Sequence, residues 1–503
     1  MFWLFSAVLV LVLYIVLGAF APKAWRVGML SNKAAWFFAG RALYGWWKTR
    51  ELREQNAGRL MDDAELKSLL SARHDGLVLD GHRARLTLDA SCRNLAVIAT
   101  TGAGKTASFI LPNLLSQDGG SIVATDPSGT LYARTSGDLA RRGYKVLQLN
   151  PLDLAASIGY NPLSFARTFP EMQEIAHILV RTASQGAKVD PFWLHGAEEI
   201  IAILVKCLKN HVDADRYANL ANLQYLLQTF GDGQVLLPFV AANAPDDATY
   251  HAFKGFIAQS EKTLQGLLSQ AKSSLVMLSD PDVAKLTAVN TFDFEALRRE
   301  KTALFLVFPQ NRVSYYALLA NLFYTQLFHY CLDDRAYSAH GLPMYFLLDE
   351  FGHLTIPDFP SIITTTRQRK ISLSIVLQSV SQLEERYGRQ GAHTILHGGV
   401  ASRLYFSGMD IDTAGELART IGDVHVEQMD AIGNIRLEKQ ALMTPPALRA
   451  MPDNQVLYLF ANKRPALLTV TPYFQRRDLV RRTETKPVQA AVRAVPRVEL
   501  VPV

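Results

Sequence analysis

Two short stretches hold side chains able to handle a nucleoside triphosphate. The first is Ala99-Thr100-Thr101-Gly102-Ala103-Gly104-Lys105-Thr106. Closely spaced glycines followed by Lys-Thr suit a loop whose backbone N–H groups cradle phosphates, with the lysine as a mobile positive charge and the hydroxyl as a Mg²⁺ ligand. Leu95-Ala96-Val97-Ile98 precedes it and Ser108-Phe109-Ile110-Leu111 follows. That order predicts strand, tight loop and helix start, the context the motif requires. ATP would therefore be held by Thr101, Gly102, Ala103, Gly104, Lys105 and Thr106. Ala99 occupies the place of a first glycine, which costs little if the backbone there is still extended. A chance glycine loop is the rival reading.

The second stretch is Met344-Tyr345-Phe346-Leu347-Leu348-Asp349-Glu350, an apolar run closing on two carboxylates. It predicts a buried strand that delivers both acids to the carboxyl edge of a parallel sheet, where ligands sit in open α/β folds. Asp349 would join Thr106 in the Mg²⁺ shell, and Glu350 would orient or deprotonate the attacking water. Asp126, at the end of Ser121-Ile122-Val123-Ala124-Thr125, competes for the metal role but lacks a following acid. The strand Ser372 to Leu377 ends at Gln378, either a sensor of the γ-phosphate or a cap for the next helix. Arg403, in a strand over 402–406, is either the arginine supplied to a neighbour's nucleotide or a surface strand arginine.

These residues need a large scaffold, and 503 residues with 49% hydrophobic and 19% charged side chains provide one. Three dispersed cysteines, Cys92, Cys207 and Cys331, form no CxxC pair, which argues for a reducing compartment and against a zinc site. The net charge of +6 is unevenly placed: residues 23–50 carry six basic residues and no acid, and residues 475–503 carry a net +4, leaving the body between at −4. Any nucleic-acid surface on that body must be a local stripe.

Residues 1–22 are uncharged and apolar, the length of a membrane-spanning helix. The basic flank on their C-terminal side predicts an uncleaved anchor with its N-terminus outside and the ATP-binding body inside; a cleaved signal peptide is the alternative. Residues 23–76 follow as an aromatic, basic interfacial segment, or a tilted second span, and then a polar helical linker with Asp62-Asp63-Ala64-Glu65 at a helix start. Alternating strands and helices over 77–163 and again over 292–474 predict one α/β domain with a mostly parallel central sheet carrying the P-loop. Residues 164–291 have helical spacing throughout and predict an inserted all-helical domain. The basic tail, 475–503, lacks periodicity and is expected to be mobile. Arg367, Arg369 and Lys370 are a solvated face or part of a DNA-facing loop.

The ordered set Thr101–Thr106 with Leu111-Pro112-Asn113-Leu114-Leu115, Asp126-Pro127, Tyr160-Asn161-Pro162-Leu163, Asp190-Pro191-Phe192-Trp193, Leu347-Leu348-Asp349-Glu350-Phe351 and Leu377-Gln378-Ser379 with Ser381-Gln382-Leu383 resembles the type IV secretion coupling proteins, the TraG-type conjugative DNA transfer ATPases. The resemblance runs from the anchor to about Phe474. It implies that the α/β domain has a RecA-like P-loop ATPase fold, and a homohexameric ring of such domains in the inner membrane, with an all-helical domain at the cytoplasmic mouth, coupling relaxase-bound single-stranded DNA to a secretion channel. Two departures stand out: one clear span where two are usual, and Ser128 where a lysine is common after Asp-Pro. A receptor that binds ATP for assembly and delivers proteins without pumping DNA is the competing function, and a chromosome-segregation translocase a third. An ABC-type ATPase is disfavoured, because no Ser-Gly-Gly-Gln run precedes the acids.

Overall fold

A computed structural model describes residues 58–184, 187–333, 341–429, 435–489 and 493–503. The expected anchor, 1–22, and interfacial segment lie outside the described residues. Among those described, no helix is long and apolar enough to cross a membrane. The first described element is the helix Asp63–Leu69, opened by a reciprocal cap: Asp62 Oδ1 accepts the Glu65 N–H at 2.9 Å and Glu65 Oε2 accepts the Asp62 N–H at 3.0 Å.

Nine strands form one sheet: β1 (Leu95–Ile98), β2 (Ser121–Thr125), β3 (Lys145–Leu149), β4 (Thr302–Leu306), β5 (Met344–Leu348), β6 (Ile371–Leu377), β7 (Ser402–Phe406), and, after a separate hairpin β8 (Asp423–Met429) and β9 (Ile435–Ala441), β10 (Gln455–Phe460) and β11 (Ala466–Thr469). The spatial order is β11-β10-β7-β1-β6-β5-β2-β4-β3. All neighbours from β7 to β3 run parallel, and β10 and β11 close one edge antiparallel. Strands β1, β2, β4, β5 and β6 are buried at every residue; β1 and β5 accordingly read as unbroken apolar runs, whereas β6 buries Ser372 and Ser374 among its apolar residues.

Between β3 and β4 the described chain contains only helices and connections, chiefly Phe169–Ala183, Pro191–Asn210, Leu220–Thr229, Asp247–Ile257 and Glu261–Ser274. Pro191–Asn210 is the hub, capped by Asp190 and packed on its neighbours through Gly266, where a Cβ would lie 2.5 Å from the Trp193 ring. The helix Val313–Leu332 joins this helical segment to the sheet. Its Tyr324 hydroxyl meets Thr125 Oγ1 at 2.7 Å, Phe328 packs on Phe346 of β5 at 5.0 Å, and Gln326 Nε2 donates to the Pro162 carbonyl at 2.9 Å.

The tail departs from expectation. Residues 477–483 form a helix with Leu479 buried, Val488 N–H donates to Ser136 Oγ at 3.1 Å, and Arg493 N–H to the Ala155 carbonyl at 3.0 Å. Gly137 is required beneath it, since a Cβ there would sit 2.0 Å from the Lys486 carbonyl oxygen. The described tail is therefore laid on the body rather than mobile. Its contacts are isolated hydrogen bonds and one buried side chain, which leave no periodic signature. The described part of Glu416–Thr444 forms, with Gly58 and Arg59, a separate compact unit built on the β8–β9 hairpin, in which the Gly58 N–H donates to the Asp423 carbonyl at 2.8 Å. Cys92, Cys207 and Cys331 are all buried and unbridged.

Candidate active site

Strand β1 delivers the glycine loop. Ala99 is buried, donates its N–H to the Leu377 carbonyl at 3.0 Å, and has no positive φ, so alanine is accommodated in the place of a first glycine. Gly102 and Gly104 have φ of +84° and +85°, and a Cβ added at either would meet no atom closer than 3.7 Å. Glycine is demanded there by backbone conformation, not by crowding. Lys105 then enters the helical region, and Thr106 opens a π-helical turn, Thr106–Ile110, that runs into the helix Leu111–Ser116.

The far end of this rod is held by three guanidinium groups. Arg142 donates to the Leu114 and Gln117 carbonyls at 2.6 and 2.7 Å, Arg85 to Ser116 at 2.7 Å, and Arg482 of the tail to Leu115. The carbonyls left free at a helix C-terminus are thus satisfied by cations, which complement the helix dipole whose positive end faces the loop.

Strand β5 brings the acids to the same edge. Lys105 Nζ lies 2.9 Å from Glu350 Oε1, and Gln378 Nε2, at the end of β6, donates to Glu350 Oε2 at 2.9 Å. Glu350 is held in the left-handed region at φ +53°, a strained backbone of the kind found at working sites. Asp349 is 6% exposed, and burial pushes its carboxyl up to about 6 despite the opposing charge of Lys105. The structure thus brings together Lys105, Asp349, Glu350 and Gln378, with Thr106 one residue beyond the lysine.

A family model described as "Type IV secretory system Conjugative DNA transfer" matches residues 55–496. The chain belongs to this family. Among curated relatives, protein VirD4 of Rhizobium radiobacter is 25% identical over 405 residues, covering 76% of this chain and 57% of VirD4. The conjugal transfer protein TraG of the same organism is 26% identical over 416 residues, covering 76% of this chain and 62% of TraG. The chain therefore spans less than two thirds of the length of these relatives. The plasmid coupling protein TrwB, solved in complex with ADP and Mg²⁺, superposes with a TM-score of 0.63 at 18% identity, covering 83% of this chain and 94% of TrwB. A trigonal form of TrwB with sulphate gives 0.65 at 19% identity, covering 87% and 96%. These two share the RecA-like α/β fold with this family member.

Around the core of the site lie residues that the strand patterns alone do not reveal. Gln382 Oε1 accepts the Gln378 N–H at 3.0 Å and fills the space over Gly352, where a Cβ would approach it to 2.4 Å. It thereby ties the end of β6 to the turn after Glu350. His353 Nε2 is 3.8 Å from Glu350 Oε2. The pairing of Thr125 with Leu348 sets Asp126 beside Asp349, and burial raises the Asp126 carboxyl as well. Its Oδ2 accepts the Tyr132 N–H at 2.8 Å, a helix-capping contact, whereas Oδ1 is buried with no hydrogen-bond partner among the described residues.

Arg403 is not brought to this cluster within the chain. It pairs in register with Ala96 and Leu459, three residues short of Ala99 along β1, roughly 10 Å from the loop's entry at 3.3 Å per residue. Its Nε is buried without a hydrogen-bond partner among the described residues. Arg367 lies just before β6, at the opposite edge of the sheet, and pairs with Asp89 at 3.1 Å.

Proposed function

We propose that this chain is the coupling ATPase of a type IV secretion or conjugation system, which recruits relaxase-bound single-stranded DNA and drives its transfer by ATP hydrolysis. The observation that carries the reading is the Lys105–Glu350–Gln378 cluster beside a loop whose glycines hold positive φ. The residues suit ATP with Mg²⁺: the glycine positions leave open space over the loop backbone, the lysine is paired with a carboxylate at the same edge, and Asp126 Oδ1 has no hydrogen-bond partner among the described residues. Bound ATP supplies the anhydride bond whose cleavage powers the cycle. Lys105 compensates phosphate charge, the Thr106 hydroxyl and Asp349 hold the metal, Glu350 orients and deprotonates water, and Gln378 fixes the Glu350 carboxylate.

The ring reading, a homohexamer anchored in the inner membrane by residues 1–22 with its body in the cytoplasm, belongs to the same proposal. A single phosphate loop per chain supports it, since a head-to-tail contact lets one subunit complete its neighbour's site. Arg403, whose Nε has no partner among the described residues, is assigned to that neighbour's nucleotide. The test measures ATP turnover of the full chain with and without single-stranded DNA across a salt series. Stimulation that fades with salt is expected, because phosphate neutralisation releases counterions. Turnover indifferent to DNA replaces the motor by a receptor that binds ATP and delivers proteins.

A further inference from the structure

The last residues of the chain occupy a shaped site. Val501 is 1% exposed, whereas Leu500 is 54% exposed and Pro502 and Val503 are exposed too. Val501 is thus the single buried side chain among residues 499–503, an anchor set between exposed neighbours. The Val501 N–H donates to Asn222 Oδ1 at 2.9 Å, and Asn222 Nδ2 donates to the Glu499 carbonyl at 3.0 Å. One side-chain amide thus pairs with the backbone on both sides of Leu500, in the manner of strand addition to a sheet edge. Asn222 is fully buried, and its own N–H is held at 3.0 Å by Asn219 Oδ1 at the start of the helix Leu220–Thr229. The reader therefore belongs to the helical segment, and its backbone is fixed there by Asn219. Arg216, in the short helix Ala214–Tyr217, pairs with the Glu499 carboxylate.

We propose that residues 216–222 form a peptide-docking slot on the helical segment, selective for an extended stretch with an acid two residues before a buried branched aliphatic side chain. The chain's own Glu499-Leu500-Val501 is its resident and releasable occupant. Asn222 supplies backbone affinity, Arg216 selects the acid, and the site of Val501 selects shape. Because Val488 is fixed to Ser136 on the helix after β2, the docked tail straps the helical segment to the sheet domain. This inference does not depend on the ATPase reading.

The experiment uses the full chain and a fluorescent peptide of sequence 494–503. In the unaltered protein, hydrogen exchange should find the Val501 amide protected, and the peptide should show no saturable binding. The Val501→Asp chain should lose that protection and bind the peptide saturably; a peptide carrying the same change should bind at least about tenfold more weakly. A second measurement follows charge: full-chain Glu499→Arg should weaken tail protection, and adding Arg216→Glu should restore it. An unprotected Val501 amide in the unaltered chain, no peptide binding to the Val501→Asp chain, equal binding of the two peptides, or no recovery in the charge-reversed double variant overturns the slot.

Discussion

Glu350 accepts from two donors, Lys105 and Gln378, which together orient its carboxylate. Replacing Glu350 with Gln keeps shape and removes the base; nucleotide binding should persist while turnover falls by about 10²–10⁴. Loss of binding would instead give Glu350 a structural or metal-holding role. Lys105→Ala should abolish hydrolysis in a folded protein, checked by circular dichroism beside the turnover assay; normal turnover would end the phosphate-loop assignment. Asp349 offers a test without nucleotide. Its folded carboxyl is raised to about 6 from 3.8, so the native state keeps a proton that the unfolded chain gives up, and stability falls as pH rises through this window. Asp349→Asn should therefore raise the denaturation midpoint at pH 7.5, by up to about 3 kcal/mol, and gain little at pH 4. Equal gains at both values would show that burial of charge is not the cause. Asp349 and Glu350 were legible in sequence because they close an unbroken apolar run, and Lys105 and Thr106 because they close the glycine loop that follows one. Arg403 was not placeable from sequence, since its distance from the loop depends on which strand lies beside β7.

The rod from Thr106 to Ser116 is set at one end by glycines and at the other by arginines. Arg142 has its side chain largely buried and pairs with the fully buried Asp138 at 2.9 Å as well as with carbonyls of the rod. Arg141, its neighbour, is mostly exposed. Arg142→Ala should cost about 2–4 kcal/mol in urea unfolding, because it removes the buried cation from Asp138, leaving only the exposed Arg141 on that carboxylate, and takes the side-chain donor from the Leu114 carbonyl, whereas Arg141→Ala leaves Arg142 in place on both and should cost under about 1 kcal/mol. Similar losses would mean that the cap contributes nothing special. Helix and strand types could be read from periodicity: Lys145–Leu149 and Ser402–Phe406 match the pattern residue for residue. A single apparent helix over 258–278 is broken at Ser260 and again after Ser274, because Ser260 caps a new helix through the Thr263 N–H and Leu275 leaves helical geometry. The arginine clamp had no sequence signature, since its donors come from residues 85, 142 and 482.

At the scale of the whole molecule, the proposed ring predicts complementation between two dead subunits. Arg403→Ala mixed with Lys105→Ala should recover part of the turnover, at interfaces where an intact loop meets an intact arginine. No recovery in rings shown independently to be mixed removes Arg403 from the chemistry. A periplasm-active reporter should signal from the N-terminus and stay silent at Lys48; a signal at Lys48 would invert or release the anchor. The three buried thiols add a property unrelated to catalysis. Burial pushes Cys92, Cys207 and Cys331 each up to about 12, so almost no thiolate is present at neutral pH. They stand in different places: just before β1, within the hub helix of the helical segment, and near the end of the helix that joins that segment to the sheet. A maleimide should leave the native protein unmodified and, as urea is raised, enter each thiol only when its own surroundings open. The chain therefore carries three internal clocks of local unfolding, and a cysteine introduced on the surface can be labelled without first removing any of them.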